Sequence, residues 1–305
     1  MKTIYLNNKS TILLPDSWED LNHNQKLFAF EILSRVMMGD LKTEPHVGLV
    51  KLLIKFTGYK PSKKFNNSDS DSEEPTRDII NSNLLRMAEQ IKFIFTINET
   101  DKTIVPEYSF RTNPFPVIRM GIKRYQGKRF ELDITAKTDI TAREFVDCYD
   151  LLSALNSLEG EDNKQECINQ ICAILYPAHD NYTQNMVSGH NRRMNWLNPW
   201  LKFGIIYWFT GIVKFYTGHP TYSILFSGKS DSNNGEEKIK LSSEIVLMLQ
   251  REGYGVPENM NLNDYFDAQV KHLKDVISKA IAGGLTVYQL SEKTGIDIAT
   301  INKLS

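Results

Sequence analysis

Arg119, Lys123, Arg124, Lys128 and Arg129, interleaved with Tyr125 and Phe130, form the first pattern in this sequence with the chemistry to hold a ligand. Cations attract phosphates and aromatic rings stack on bases, the combination by which single-stranded nucleic acid is bound. Lysines and arginines also keep an exposed strand edge from pairing with another chain, and the shortness of the cluster favours that role. The second pattern is the terminal TVYQLSEKTGIDIATINKLS, which has helix-turn-helix form. A first helix spans Val287 to Thr294 with Leu290 inward, a turn falls at Gly295, Ile296 plugs the core, and a second helix runs from about Ile298 to Leu304. Ala299, Thr300, Asn302 and Lys303 then occupy the face that reads bases in such units. Duplex binding through it is expected to be weak. Glu292 and Asp297 offset Lys293 and Lys303, which leaves little net charge for phosphate contacts. No helix beyond Ser305 is expected to support the second one.

Other reactive residue types do not assemble into a site. SGKS at Ser227 to Ser230 resembles the end of a phosphate-binding loop, yet the glycine required five positions before Gly228 is replaced by Ser223. DSDSEE, Asp69 to Glu74, lacks the glycine and terminal glutamate of a calcium loop and reads as a solvated charge run. The six histidines show no paired ligand spacing, and no Gly-x-Ser-x-Gly elbow is present. His190-Asn191-Arg192-Arg193 has the charge to bind an anion, but Trp196 and Trp200 beside it mark it as the polar lead-in to a buried helix. Cys148, Cys167 and Cys172 are odd in number and lack Cys-x-x-Cys spacing, so reduced, buried thiols are expected. The expectation is a non-enzymatic protein with no catalytic residues, no metal site and no cofactor.

Composition sets the outer limits. The 305 residues, 41% hydrophobic and 24% charged, suit a folded globular chain large enough for two or three compact units. Lys plus Arg (36) nearly balance Asp plus Glu (37), so any attraction to nucleic acid or anionic lipid has to be local. Met1 to Asn8 is short, polar and strand-like, and no signal peptide is expected. In WLNPWLKFGIIYWFTGIVKFY, Trp196 to Tyr216, the longest charge-free run is Phe203 to Val213. A membrane span needs about 20 apolar residues, so this segment reads as a buried helix with Pro199 in its first turn and Gly218 at its end.

The elements that position these residues follow from periodicity and punctuation. KTIYLNN and KSTILLP predict a hairpin, and a helix from about Asn24 to Met38 follows, closing at Gly39. Leu27, Phe28, Phe30, Ile32, Leu33 and Val36 cover most of its circumference, which predicts burial. Helices are also expected at about 44–56, 78–95, from Thr141, over KQECINQICAILYP, at 242–251 and at 263–282. Thr141 and Glu144 have capping-box spacing. A second hairpin is predicted with its turn at Gln126-Gly127. The order of hairpin, cap and helix there echoes the N-terminus. The fold class is mainly α with small β-hairpins (α+β) and bundle-like helix packing. The expected organisation is an N-terminal hairpin with helices over 1–60, a flexible acidic linker over 61–77, an α+β region over 78–180 and a helical region over 181–305.

Residues Leu14 to Leu27 carry a resemblance. A short hairpin followed by LPDSWEDLNHNQKL, with Leu14, Pro15, Ser17, Trp18, Leu21, Gln25 and Leu27 at the matching places, resembles the start of small proteins encoded among the tail genes of bacteriophages and prophages of the Bacteroides group. TDITAREFVDCYDLL, CAILYP and TGIDIATINKL are similar to segments of longer proteins of that kind. The resemblance covers about the first 60 residues plus these segments, and its motifs are structural rather than chemical. It implies a tail assembly chaperone or morphogenesis factor, acting in the bacterial host cytoplasm on partners of tape-measure or tail-tube type, without a membrane. Read from the residues alone, Trp18 and Leu21 are structural anchors that pack the hairpin against the first helix, whose N–H groups Asp16 or Asn22 caps.

Overall fold

The computed structural model describes residues 1–7, 10–39, 44–59, 84–98, 100, 103–131, 138–178, 184–226, 259–294, 296 and 298–304. The expected linker at 61–77, the SGKS stretch at 227–230 and the helix expected at 242–251 lie outside these residues. Strands β1 (Lys2–Asn7) and β2 (Ser10–Leu14) lead into helices α1 (His23–Met37) and α2 (Pro45–Thr57). After a helical turn at 84–88 come β3 (Phe95–Ile97), β4 (Ile104–Pro106), β5 (Val117–Met120) and β6 (Lys123–Gln126). Then follow α3 (Ala142–Ser157), α4 (Glu161–Leu175), α5 (Gln184–Met194), α6 (Pro199–Gly218), α7 (Leu262–Ala282), α8 (Val287–Thr294) and α9 (Ile298–Leu304). The protein is mainly helical, with small two-stranded antiparallel sheets pairing β1 with β2, β3 with β4 and β5 with β6.

The chain divides into two compact units, and α6 contributes to both. The first comprises Met1–Phe115 and Leu197–Trp208; the second comprises Pro116–Trp196 and Phe209–Ser305. Neither is continuous in sequence.

In the first unit, α1 starts at a capping box: the Gln25 N–H donates to Asn22 Oδ1 and the Asn22 N–H donates to Gln25 Oε1, both at 3.0 Å. Of the two candidate caps, Asn22 is therefore the one used. Trp18 is 1% exposed and lies between Phe30 at 4.6 Å and Phe110 at 4.7 Å, both stacked, with Phe93 edge-on at 5.8 Å. Each such ring contributes about 1.5–3 kcal/mol on burial, so the four rings together outweigh the cost of about 1–3 kcal/mol for Trp18 Nε1, buried without a partner among the described residues. Leu14 and Leu21 are buried as well. The first half of α6 closes this core. Tyr207 stacks on Tyr108 at 4.4 Å and donates its hydroxyl to the Glu107 carbonyl at 3.0 Å. Burial pushes the Tyr207 hydroxyl well above its ordinary pKa, so it stays a donor.

The predicted helix over 78–95 ends early among its described residues. The helical turn stops at 88, and Phe95 to Ile97 form a strand against Ile104 to Pro106. Ile91, Phe93, Ile94 and Phe95 are all buried, a run whose period cannot distinguish helix from strand.

The second unit is built on α3 to α5, the second half of α6, and α7. Thr141 and Glu144 form the expected capping box at α3. Phe145 packs edge-on against Tyr216 at 5.7 Å and Phe266 at 5.6 Å. Asn261 caps α7 by accepting the Asn263 N–H at 3.1 Å, and the adjoining backbone pairs Leu262 N–H with Ile140 O. Cys148 and Cys172 are buried, and Cys167 is half-buried. Burial pushes the Cys148 thiol far up, with the Glu144 carboxylate adding to it, so no reactive thiolate forms there.

Candidate functional site

The β5–β6 hairpin turns at Gly121-Ile122, not at the predicted Gln126-Gly127. Met120 pairs with Lys123, and Gly121 takes a left-handed φ of 62° that a side chain would strain. The Gly127 N–H instead donates to Pro116 O at 2.9 Å, closing the open end of the ladder. The sequence misleads because a turn that displays a fully exposed isoleucine, Ile122, runs against its apolar character.

With this register the two faces of the hairpin separate. Ile118 and Tyr125 pair on the buried face, while Arg119 and Arg124 stand directly opposite one another on the exposed one. Like charges at opposed positions repel. The five basic residues also divide by partner. Lys128 Nζ lies 2.8 Å from Glu144 Oε1, with side chains 14% and 2% exposed, and Arg129 Nε lies 3.3 Å from Asp139 Oδ2. Arg119, Lys123 and Arg124 make no ion pair among the described residues, so the two ends of the cluster do different jobs.

Lys123, Arg124, Tyr125 and Gln126 line one wall of a cleft of about 470 Å³. Pro177 and Ala178, just past α4, and Arg193, near the end of α5, line the other. Two segments that the sequence offered separately, the basic hairpin and His190-Asn191-Arg192-Arg193, thus meet at one site. The walls are fastened together beneath it. The Lys128 N–H donates to Leu175 O at 2.8 Å, and Tyr125 packs on the His190 ring at 4.8 Å. His190 Nε2 is 2.9 Å from Tyr176 O, which ties α5 to the end of α4. Arg193 is followed by Trp196, 87% exposed, whose N–H donates to Arg193 O at 3.1 Å.

The C-terminal residues form the expected helix pair. Leu290, Ile296 and Ile301 bury together with Ile277 of α7, and Leu273, Ala280, Ile281, Leu285 and Val287 pack around them. The support comes from the preceding helix: α7 underlies both α8 and α9, because its apolar stripe extends through Ile277 and Ile281. A capping box missed in the sequence starts α8, with the Gln289 N–H donating to Thr286 Oγ1 and the Thr286 N–H to Gln289 Oε1. Thr286 and Gln289 have the same spacing as the Thr141 cap and were legible on that ground. Ala299 and Asn302 are exposed on α9 and Thr300 is half-buried; the Lys303 side chain lies outside the described residues.

A third feature is apolar. Met37 (44% exposed), Met38 (79%) and Val47 (42%) stand at one corner of the α1–α2 hairpin. Gly48 brings these two helix ends together, since a Cβ there would lie 3.1 Å from Ile32 and Val36, so the first turn of α2 meets the last turn of α1. The opposite ends meet through Gln25 Nε2, which donates to Phe56 O at 3.3 Å.

Among the described residues no group of three or more His, Cys, Asp or Glu is placed to hold a metal, and no helix is long and apolar enough to cross a membrane. No protein-family model matches the chain, and neither a curated protein nor a solved structure matches it.

Proposed function

We propose that this chain is a non-enzymatic bacteriophage or prophage protein that acts in virion tail assembly by binding other tail proteins of tape-measure or tail-tube type in the host cytoplasm. The observation that supports this reading is the apolar corner of Met37, Met38 and Val47. It lies within the stretch of about 60 residues whose Leu14 to Leu27 motif resembles tail-gene products, and methionines adapt their shape to irregular apolar partners. A long tail protein awaiting assembly offers amphipathic helical segments that such a corner would cover. The test is affinity capture of the tagged full chain from a phage-producing host, with and without nuclease. Retention of a tape-measure or tail-tube protein after nuclease treatment is the expected result, and recovery of no tail protein overturns the reading.

A second reading, a DNA-binding protein, is favoured by the packing of α8 and α9 on α7, which presents Ala299 and Asn302 outward. Under it, duplex DNA binds with an affinity that falls steeply between two salt concentrations, and Asn302→Ala weakens that binding by about tenfold. An Asn302→Ala chain that binds duplex as well as the parent would remove α9 from the interface.

A further inference from the structure

The geometry points to the cleft between β6 and Arg193 as a binding site for a phosphoryl group, carried either by a free phosphate compound or by a strand of nucleic acid. Three cations from two distant segments, Lys123, Arg124 and Arg193, line it without a carboxylate among the described lining residues. The same hairpin shows that carboxylates are used where cations need neutralising, since Lys128 and Arg129 have Glu144 and Asp139. Arg124 also faces Arg119 across the ladder, a repulsion that a bound dianion would turn into attraction.

The site has the dimensions and rigidity for this. A volume of about 470 Å³ lies in the range of small-ligand sites. Its walls are held by the Lys128 to Leu175 backbone bond and by the Tyr125, His190 and Tyr176 chain of contacts, so the cations are placed before the ligand arrives. Guanidinium groups match phosphate oxygens two at a time, and Lys123 adds a point charge. Trp196, exposed within a turn of Arg193, gives a nucleic-acid strand a surface on which a base stacks.

The test titrates the purified full chain with pyrophosphate and, separately, with a short oligothymidylate, each at two salt concentrations. Saturable binding of at least one probe, weakened by salt and reduced about tenfold in Arg124→Gln and in Arg193→Gln, is expected. Lys92→Gln, an exposed cation of the first unit, serves as the control and leaves binding unchanged. All three side chains are exposed, so the urea midpoint of each variant reports that the fold is intact. The arms separate the sources: binding of the oligonucleotide that Trp196→Ala also weakens assigns a strand, and binding of pyrophosphate alone assigns a free phosphate compound. Saturation by neither probe, binding of oligoglutamate in place of both, or variants that bind like the parent would overturn the proposal.

Discussion

Gly204→Ala is expected to destabilise the protein by about 3 kcal/mol, although alanine is the better helix former by roughly 1 kcal/mol at an ordinary helical position. The reason is the approach of two rings to the backbone of α6. A Cβ at Gly204 would stand 2.6 and 2.7 Å from Phe30 Cδ2 and Cε2, and 2.8 Å from Phe115 Cε2. These are rings, not the flexible ends of side chains. Phe30 cannot withdraw, because Trp18 is stacked on it at 4.6 Å and Phe115 packs on it at 5.6 Å. Overpacking a core costs about 1–3 kcal/mol and more where neighbours are locked. Urea unfolding of the two proteins checks this, with the midpoint expected to drop. A midpoint equal to the parent's would mean that helix propensity outweighs the ring contacts.

The second large effect is expected at the Lys128–Glu144 pair. Glu144 is buried, caps the Thr141 N–H at 2.9 Å through Oε2, and meets Lys128 through Oε1. Glutamine at this position keeps an oxygen for the cap. Glu144→Gln therefore isolates the loss of charge, and a half-sheltered ammonium deprived of its carboxylate costs about 3 kcal/mol. Lys128→Met alone leaves a buried carboxylate without its cation and is expected to cost as much. The double variant removes both charges, and buried pairs replaced together by apolar or neutral groups are often nearly neutral. A double-mutant cycle in urea thus predicts that the combined loss is smaller than either single loss. Simple additivity would show that the pair does not act as a unit.

Local signals in the sequence identify much of this fold. The capping residues Asn22 and Thr141, Pro199 at the head of α6, and the alternation that buries Ile118 and Tyr125 each act within a few residues of themselves. The place of Trp18 at the entrance to α1 was legible for the same reason, since it stands two residues past a Pro-Asp step and just before a helix. Its second stacking partner, Phe110, was not, because nothing near Trp18 specifies a ring so far along the chain. The same limit hides the cleft. Arg193 reads as the polar lead-in to a buried helix until α4 and α5 fold back and set it across from Lys123 and Arg124. It also hides the discontinuous composition of the two units, because α6 reads as one uninterrupted apolar helix although its halves belong to different cores. Where short apolar runs match both periods, as from Ile91 to Phe95, tertiary pairing with Ile104 to Pro106 decides the outcome.

The proposed association with a tail protein through the α1–α2 corner is open to one decisive comparison. The tagged parent chain and a variant carrying Met37→Lys and Met38→Lys, cations that a helix C-terminus favours, are used to capture partners from the same nuclease-treated lysate. A tape-measure or tail-tube protein is expected to be retained by the parent and lost by the variant while the two unfold at the same urea concentration. Retention by both chains, or by neither, would contradict it.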